Sequence, residues 1–219
     1  MTSAQPPKET DQPAVVLLAG GTGSGKTRLA QELLRGLPPG AGLSLSQDSF
    51  YRDQSHLDPA ARARLNFDHP DQIEWPLLIA TVRQLRSGKS ARVPVYDFST
   101  HTRTSERELH PVSRLLVVEG TLVLTVPELR APATLGVFLD APEWLRLLRR
   151  LRRDRRERGR SPAGILQQYL RTVRPMHREW VQPSRRFADL VLDGRRTAAA
   201  NAAAVREWLE GRDAPGAYG

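Results

Sequence analysis

The feature that most constrains this chain is a glycine-rich stretch at residues 20–27, with the sequence Gly-Gly-Thr-Gly-Ser-Gly-Lys-Thr. It fits the pattern G-x-x-x-x-G-K-[ST], whose glycines let backbone N–H groups surround a phosphate without clashes from Cβ atoms. An apolar run at residues 14–19 precedes it and predicts a buried strand, and the residues after it have helical spacing. Strand, glycine turn and helix are the context that a P-loop requires. The residues predicted to bind phosphate are Gly20, Gly21, Thr22, Gly23, Ser24, Gly25, Lys26 and Thr27.

Two side chains of the P-loop have distinct expected roles. The Lys26 ammonium would reach the β- and γ-phosphates of a nucleotide, and the Thr27 hydroxyl would hold Mg²⁺. The start of the following helix adds partial positive charge at the same place. The motif therefore predicts a nucleoside triphosphate and Mg²⁺ as ligands, and by itself it indicates only the broad class of P-loop NTPases.

The composition limits the remaining classes of function. With 219 residues, the chain suits one α/β domain with a sizeable core. It has no cysteine, which excludes disulfides, thiolate nucleophiles and cysteine-ligated metals. The formal charge is +9 at pH 7, but nearly all basic residues are arginines, a bias that codon usage can produce. Net charge alone is therefore weak support for a nucleic-acid partner.

The N-terminus and the apolar runs bear on location and domain limits. Residues 1–12 are polar and contain proline, without the apolar core of a signal peptide. No run approaches the length of a membrane span. We therefore expect a soluble cytoplasmic protein that does not bind membranes. Residues 1–12 and 211–219 are expected to be flexible tails on a single domain at residues 13–210.

Strands and helices are predicted to alternate through most of the chain. Apolar runs predict strands at residues 14–19, 43–46, 115–118, 135–140 and 188–192. Helices are predicted at residues 28–35, 59–65, 73–86, 142–159, 162–181 and 197–210. We expect Pro175 to kink or break the helix at 162–181. Two short strands, at 92–98 and 107–112, predict a β-hairpin within residues 91–112. The predicted fold is a three-layer α/β/α P-loop NTPase fold with a mostly parallel sheet.

Two carboxylates follow predicted strands, at the sheet edge where ligands bind in parallel α/β proteins. Asp48 follows the second strand and could take a proton from an alcohol, or it could be a helix cap or turn residue. Glu119 ends the strand expected beside the P-loop strand. It could direct Mg²⁺, or it could cap a helix.

An arginine-rich segment at residues 142–162 is predicted to form a lid. Its helical spacing places four arginines on one face, namely Arg146, Arg149, Arg150 and Arg153. A guanidinium that closes over a γ-phosphate stabilises the transferring group. We expect these arginines to repel one another without phosphate, so that the lid stays mobile until both substrates bind. The alternative for the cluster is a solvated charged face.

An ordered set of further motifs resembles the uridine kinase (uridine–cytidine kinase) family over about residues 15–192. The motifs are Ser-Gln-Asp-Ser-Phe-Tyr at 46–51, Asn-Phe-Asp-His-Pro-Asp at 66–71, Pro-Val-Tyr-Asp-Phe at 94–98, Glu-Arg-Gly-Arg at 157–160 and Val-Arg-Pro-Met-His at 173–177. The P-loop alone is unspecific, whereas this set with these spacings is highly specific. The resemblance implies a single kinase domain with a β-hairpin over the substrate site and an arginine-rich helical lid.

The resemblance also implies roles for individual residues. Asp48 would be the base facing a nucleoside 5′-hydroxyl, with Lys26 and Arg153 as the other catalytic residues. Arg158 would bind the phosphate donor. The implied Mg²⁺ ligands are Thr27, Glu119 and Asp48. The residues implied to bind the nucleoside are Tyr51, Asp68, Tyr96, Phe98, His101, Arg150, Arg160, Gln168 and Tyr169.

The implied reaction is phosphorylation of uridine and cytidine at the 5′-hydroxyl, with ATP or GTP as donor. The resemblance further implies a homotetramer that does not bind nucleic acid. One alternative is a related small-molecule kinase, such as a phosphoribulokinase or pantothenate kinase, although the aromatic and histidine residues at 96–101 argue against it. Another is a nucleic-acid-binding P-loop NTPase that uses the arginines on phosphates. Tyr96 and Phe98 could also be hairpin core, and His101 a turn residue.

Overall fold

The computed structural model describes residues 12–213, and their centre is a parallel five-stranded sheet. Its strands are β1 (Ala14–Ala19), β2 (Gly42–Ser46), β5 (Leu115–Glu119), β6 (Leu135–Asp140) and β7 (Leu190–Asp193). Their order across the sheet is β2-β5-β1-β6-β7. β1 and β5 are central and almost fully buried, because helices cover both faces. The strand order places the carboxyl ends of β1, β2 and β5 side by side.

Helices cover the sheet on both faces, which confirms the predicted three-layer fold. They are α1 (Lys26–Leu34), α2 (Pro59–Ala63), α3 (Trp75–Arg86), α4 (Pro127–Arg130), α5 (Glu143–Arg158), α6 (Pro162–Gln168), α7 (Arg174–Met176), α8 (Gln182–Ser184) and α9 (Ala198–Asp213). One core packs α1 and α9 against the sheet, through residues such as Leu29 and Val205. The other packs α3 and the hairpin against the opposite face, through residues such as Leu78 and Val93.

The predicted hairpin is present, but its second strand begins earlier than expected. β3 (Ala91–Asp97) and β4 (Thr102–Leu109) pair antiparallel, with an irregularity between Val95 and Tyr96. The sequence placed the second strand at 107–112, because residues 102–106 are polar and show no apolar alternation. In the structure most of β4 is exposed, so pairing with β3 forms that strand without burial of its side chains.

The helical segment after α6 continues through both of its internal prolines. A π-helical turn, Tyr169–Val173, precedes α7 and Pro175, and a second, His177–Val181, precedes α8 and Pro183. Proline lacks an N–H and its ring clashes with the carbonyl four residues earlier. A wider π-helical turn accommodates that defect. The helical segment therefore continues through Pro175, so of the predicted kink or break, the break does not occur.

The last helix of the domain ends slightly later than predicted. The last helix, α9, reaches Asp213, three residues beyond the predicted end at residue 210. Apart from residue 12 and residues 211–213, the predicted tails at 1–12 and 211–219 lie outside the described residues. Among residues 12–213, no helix is both long enough and apolar enough to cross a membrane.

Candidate active site

The P-loop links β1 to α1 and packs directly against the first turn of α5. A Cβ atom on Gly21 would meet the Arg146 guanidinium, and one on Gly23 would overlap the Arg146 carbonyl oxygen. Gly23 also has a φ of 76°, in the left-handed region that side chains avoid. Glycine is therefore required at position 23 by both the close approach and the turn, whereas a side chain at position 21 would displace the Arg146 guanidinium. The Arg146 Nη1 that enters this contact is buried without a hydrogen-bond partner among the described residues.

The Lys26 ammonium lies inside the loop that the motif predicts. Its Nζ donates hydrogen bonds to the carbonyl oxygens of Gly20, at 2.8 Å, and Gly21, at 3.0 Å. Burial lowers the pKa of Lys26 from 10.5 to about 8, although the Glu119 and Asp48 carboxylates oppose the shift. A desolvated cation fixed by backbone carbonyls is ready to receive the negative charge of a phosphate.

Two carboxylates and a hydroxyl lie together beside the P-loop. The Thr27 hydroxyl donates to Glu119 Oε1 at 3.3 Å, because β5 pairs with β1 and places Glu119 opposite Leu18. Burial raises the pKa of Glu119; Lys26 opposes this rise and Asp48 adds to it. Mg²⁺ is usually held by one or two carboxylates together with substrate phosphates and water. Thr27, Glu119 and Asp48 fit such a site, whereas no set of three acidic, His or Cys ligands occurs within residues 12–213.

Asp48 lies between the phosphate site and the predicted acceptor side. It is in the short 3₁₀ helix Gln47–Phe50 that follows β2, and its backbone N–H donates to Ser46 Oγ. Ser46 is therefore the cap, and the Asp48 carboxylate is not used in capping. The charge of Asp48 affects groups on both sides. The pKa of Tyr51 is raised by burial and, after that, by the Asp48 charge. The same charge partly offsets the lowering of the Lys26 pKa by burial.

The acceptor side contains a hydrogen-bonded group around Asp68. The Thr172 hydroxyl donates to Asp68 Oδ2 at 2.8 Å. Burial raises the pKa of Asp68, and the nearby Arg150 guanidinium opposes that rise. Gln168 Oε1 accepts hydrogen bonds at 2.8 Å from both Arg150 and Arg160. Arg150 also reaches the P-loop, where its Nη1 donates to Thr22 Oγ1 at 3.2 Å. Arg150 thus bridges the acceptor side and the phosphate site.

Five aromatic rings form a cluster beside Asp68 and the hairpin. Tyr51 lies 5.1 Å from Tyr96 between ring centroids, and Phe67 stacks on His101 at 4.3 Å. Phe98 completes the cluster. Burial raises the pKa of Tyr96 to about 12. In the described part of the chain, the Tyr96 hydroxyl and His101 Nδ1 are buried without hydrogen-bond partners. Apolar faces with two unpaired polar atoms suit a heterocyclic base.

Comparison with known proteins decides the family of the chain. A family model described as the Phosphoribulokinase / Uridine kinase family matches residues 15–200. The chain belongs to this family. Uridine kinase of Lactobacillus johnsonii is 40% identical over 186 residues, which are 84% of this chain and 88% of that protein. Uridine kinase of Deinococcus deserti is 43% identical over 182 residues, or 83% of this chain and 87% of that protein.

Solved structures show the same fold at lower identity. Phosphoribulokinase from Rhodobacter spheroides has a TM-score of 0.61 and 16% identity, covering 83% of this chain and 70% of that chain. A possible uridine kinase from Bacillus stearothermophilus has a TM-score of 0.50 and 22% identity, covering 85% and 91%. These two likenesses show the fold of this family member and not its substrate.

The arginine-rich helix α5 contacts the hairpin. The Arg158 guanidinium lies over the Phe98 ring, 4.4 Å from its centroid. Arg153 donates from Nε to Asp154 Oδ1 at 2.9 Å. The sequence led us to expect mutual repulsion among these arginines without phosphate. Asp154, which is fully buried, instead provides a negative charge at their centre. The sequence carries a signal for this residue that the prediction of repulsion leaves out: Asp154 stands four residues from both Arg150 and Arg158, on the same helix face.

Tyr169, which the resemblance implies to bind the nucleoside, has different surroundings from Gln168. It is fully buried, and its hydroxyl lies near Glu143 and Arg146. Burial raises the pKa of Tyr169. Adjacent residues of a helix do not face the same way, so Gln168 and Tyr169 point to different surroundings. Conversely, Phe67 and Thr172 join the acceptor side, and we had not nominated either. Phe67 lies inside a quoted motif, which was a usable signal; Thr172 gave none.

His177 is a further buried group near the phosphate site that we had not nominated. Burial lowers its pKa from 6.5 to about 4, and the positive charges of Arg146 and Lys26 add to the shift. The imidazole is therefore neutral at pH 7. A neutral ring avoids a third positive charge beside Arg146 and Lys26.

This histidine should make stability depend on pH. Because its folded pKa, about 4, lies below 6.5, the unfolded chain binds the proton first and stability falls as pH decreases from 6.5 to 4. We expect a loss of roughly 3 kcal/mol across that interval from this group. His177→Gln should reduce the dependence by that amount. Urea unfolding at pH 4, 5, 6 and 7 would measure the free energy of unfolding of both proteins. The same pH dependence in His177→Gln as in the unaltered protein would contradict the assignment.

Proposed function

We propose that this protein transfers the γ-phosphate of ATP or GTP to the 5′-hydroxyl of uridine or cytidine, forming UMP or CMP. One observation supports this most directly: Asp48 lies between the Lys26–Glu119 phosphate site and the Asp68 group with its aromatic cluster. That arrangement provides for a triphosphate, an alcohol and a base within one site. The relatives that are named uridine kinase, at about 40% identity over most of the chain, support the same substrate class.

The residues around the P-loop would hold the donor. Backbone N–H groups and Lys26 would bind its phosphates, and Arg153 and Arg158 would approach the γ-phosphate from the lid. Thr27, Glu119 and Asp48 would hold Mg²⁺, which would offset the negative charge of the transferring group. The Asp48 carboxylate would take the proton of the 5′-hydroxyl as its oxygen attacks.

The acceptor side would hold the nucleoside. The Asp68 carboxylate would accept hydrogen bonds from the ribose hydroxyls, with Arg150 and Arg160 fixed beside it by Gln168. The pyrimidine would lie among the aromatic rings, where the unpaired Tyr96 hydroxyl and His101 Nδ1 could bind its polar edge.

The donor base would use a separate cavity of about 440 Å³ at the ends of β6 and β7. Its lining includes Asp140, Asp193 and Arg195. It adjoins the P-loop through Arg149, whose Nη1 donates at 3.0 Å to the carbonyl oxygens of both Ser24 and Gly194. This cavity lies on the other side of the P-loop from Asp48, so donor and acceptor bases would not compete.

A substrate panel tests the proposal against its alternatives. An ATP-coupled assay would compare uridine, cytidine, adenosine, pantothenate and ribulose 5-phosphate. We expect turnover with the two pyrimidine nucleosides alone. Preference for ribulose 5-phosphate or pantothenate would indicate another activity of the fold. A nucleic-acid-binding role would instead appear as tight, salt-dependent binding of DNA or RNA. Several of the arginines it would need face the buried Asp154 carboxylate.

The base pocket gives a selective prediction. His101 has a φ of 56°, a conformation that asparagine tolerates better than most residues. His101→Asn should therefore remove the imidazole without backbone strain. We expect the ratio of kcat/KM for cytidine to that for uridine to change several-fold, while the KM for ATP stays constant. His56→Asn, at an exposed site, is the matched control. Equal losses for both nucleosides together with weaker ATP binding would contradict the pocket assignment.

A further inference from the structure

A single buried carboxylate lies at the centre of the lid arginines. Asp154 is fully buried in α5, and four guanidinium groups lie within 4.0 Å of its oxygens. Its backbone carbonyl also accepts hydrogen bonds from the N–H groups of Gly159 and Arg160, which end the helix. Asp154 therefore organises both the charge and the backbone turn of the lid. Neither the family's name nor the proposed roles assign it a function.

The two carboxylate oxygens of Asp154 divide the arginines into two pairs. Oδ1 faces the pair proposed for the donor: Arg153, with Nη2 at 2.9 Å, and Arg158, at 4.0 Å. Oδ2 faces the pair proposed for the nucleoside: Arg150, at 3.5 Å, and Arg160, at 3.9 Å. One side chain thus connects the two halves of the site.

The two oxygens are unequally satisfied. Oδ1 accepts hydrogen bonds from Arg153, whereas Oδ2 is buried and has no hydrogen-bond partner within residues 12–213. Arg150 Nε is likewise buried and unpaired, although it lies 3.5 Å from Oδ2. A buried carboxylate without hydrogen bonds destabilises the folded protein, so it will accept hydrogen bonds from other donors within reach. When Arg153 and Arg158 move to a donor phosphate, the guanidinium groups that remain within 4.0 Å of the carboxylate are those of Arg150 and Arg160.

We propose that Asp154 is a positioning residue that couples donor binding to nucleoside binding. Donor phosphates draw Arg153 and Arg158 away from Oδ1. The carboxylate then holds Arg150 and Arg160 more firmly against Gln168 and Asp68, where the nucleoside binds. Donor and nucleoside should therefore strengthen each other's binding. This inference rests on the proposed function, because it takes a nucleoside as the acceptor.

Calorimetric binding tests the coupling directly. The dissociation constant of uridine is measured alone and with saturating Mg²⁺ and the non-hydrolysable donor β,γ-imido-ATP. We expect the donor to tighten uridine binding at least about fivefold in the unaltered protein, the lower range of typical coupling between sites. In Asp154→Asn, which keeps the shape but removes the charge, the ratio of the uridine dissociation constant without the donor to that with the donor should fall close to one. Glu157→Gln makes the same charge change on the exposed face of α5 and should keep the ratio.

Each outcome bears on a distinct claim. A merely structural role for Asp154 would lower the melting temperature and leave the ratio unchanged, which overturns the inference. The absence of coupling in the unaltered protein also overturns it. If Asp154→Asn does not fold, Arg153→Gln removes the hydrogen bonds to Oδ1 at a partly exposed position, and an unchanged ratio there overturns the inference as well. If the unaltered protein does not bind uridine, both the proposed function and this inference are overturned. If the unaltered protein binds uridine and Asp154→Asn shows the same coupling, the inference alone is overturned.

Discussion

Asp48→Asn is expected to reduce kcat for uridine at least about 100-fold, with little change in the affinity for the nucleoside. The carboxylate follows β2 at the edge of the sheet, next to the Lys26–Glu119 phosphate site, and its backbone rather than its side chain is used in the turn. It can therefore take the 5′-hydroxyl proton in the transition state. Asparagine keeps the shape of aspartate but accepts no proton, so packing cannot explain a large effect.

The matched comparison is Asp68→Asn. Its carboxylate accepts from Thr172 and would bind ribose hydroxyls equally in the ground and transition states. Loss of such uniform binding raises KM and leaves kcat nearly constant, apart from a modest effect of misplacing the sugar. Steady-state kinetics on both variants, together with direct measurement of uridine binding, separates the two roles. A nearly normal kcat in Asp48→Asn would contradict the assignment of Asp48 as the base.

Lys26→Ala should abolish detectable transfer and leave the fold intact. The ammonium is the cation closest to the P-loop carbonyls, and loss of one fixed electrostatic contact to a transition state typically lowers kcat about 10²–10³-fold. Burial lowers the pKa of this lysine to about 8, below 10.5, so the charged form is less favourable in the folded state at pH 7. Removal of the amine should therefore not lower the melting temperature.

Two further variants make the test specific. Lys26→Met fills the volume of the lysine stem without its charge and should be as inactive as Lys26→Ala. Lys89→Met alters an exposed lysine and should keep full activity. Thermal melting and the ATP-coupled assay are measured on all three. Substantial turnover in a folded Lys26→Met protein would contradict the assignment of Lys26 to the phosphate site.

The sequence by itself determined the phosphate site and the sheet that presents it. Both depend on local chemistry: Gly20 and Gly23 permit the positive φ angles of the loop, and short continuous apolar runs followed by glycine turns predict buried strands. The order of the strands in the sequence predicted Asp48 and Glu119 at the carboxyl edge of the sheet, and they lie there, after β2 and at the end of β5. The register between β1 and β5 confirms the position of Glu119 beside Leu18.

The tertiary structure alone decided which distant residues meet. Thr172 reaches Asp68 across 104 positions of sequence, and Phe67 stacks on His101 through the packing of a loop against the hairpin. The surroundings of Tyr169 likewise depend on packing, which brings its hydroxyl near Glu143 and Arg146. The grouping of four arginines around Asp154 depends on the turn after α5, since helical spacing could align only Arg150 and Arg158 with it. Local patterns fix backbone and burial, whereas contacts between side chains far apart in sequence depend on how the elements pack.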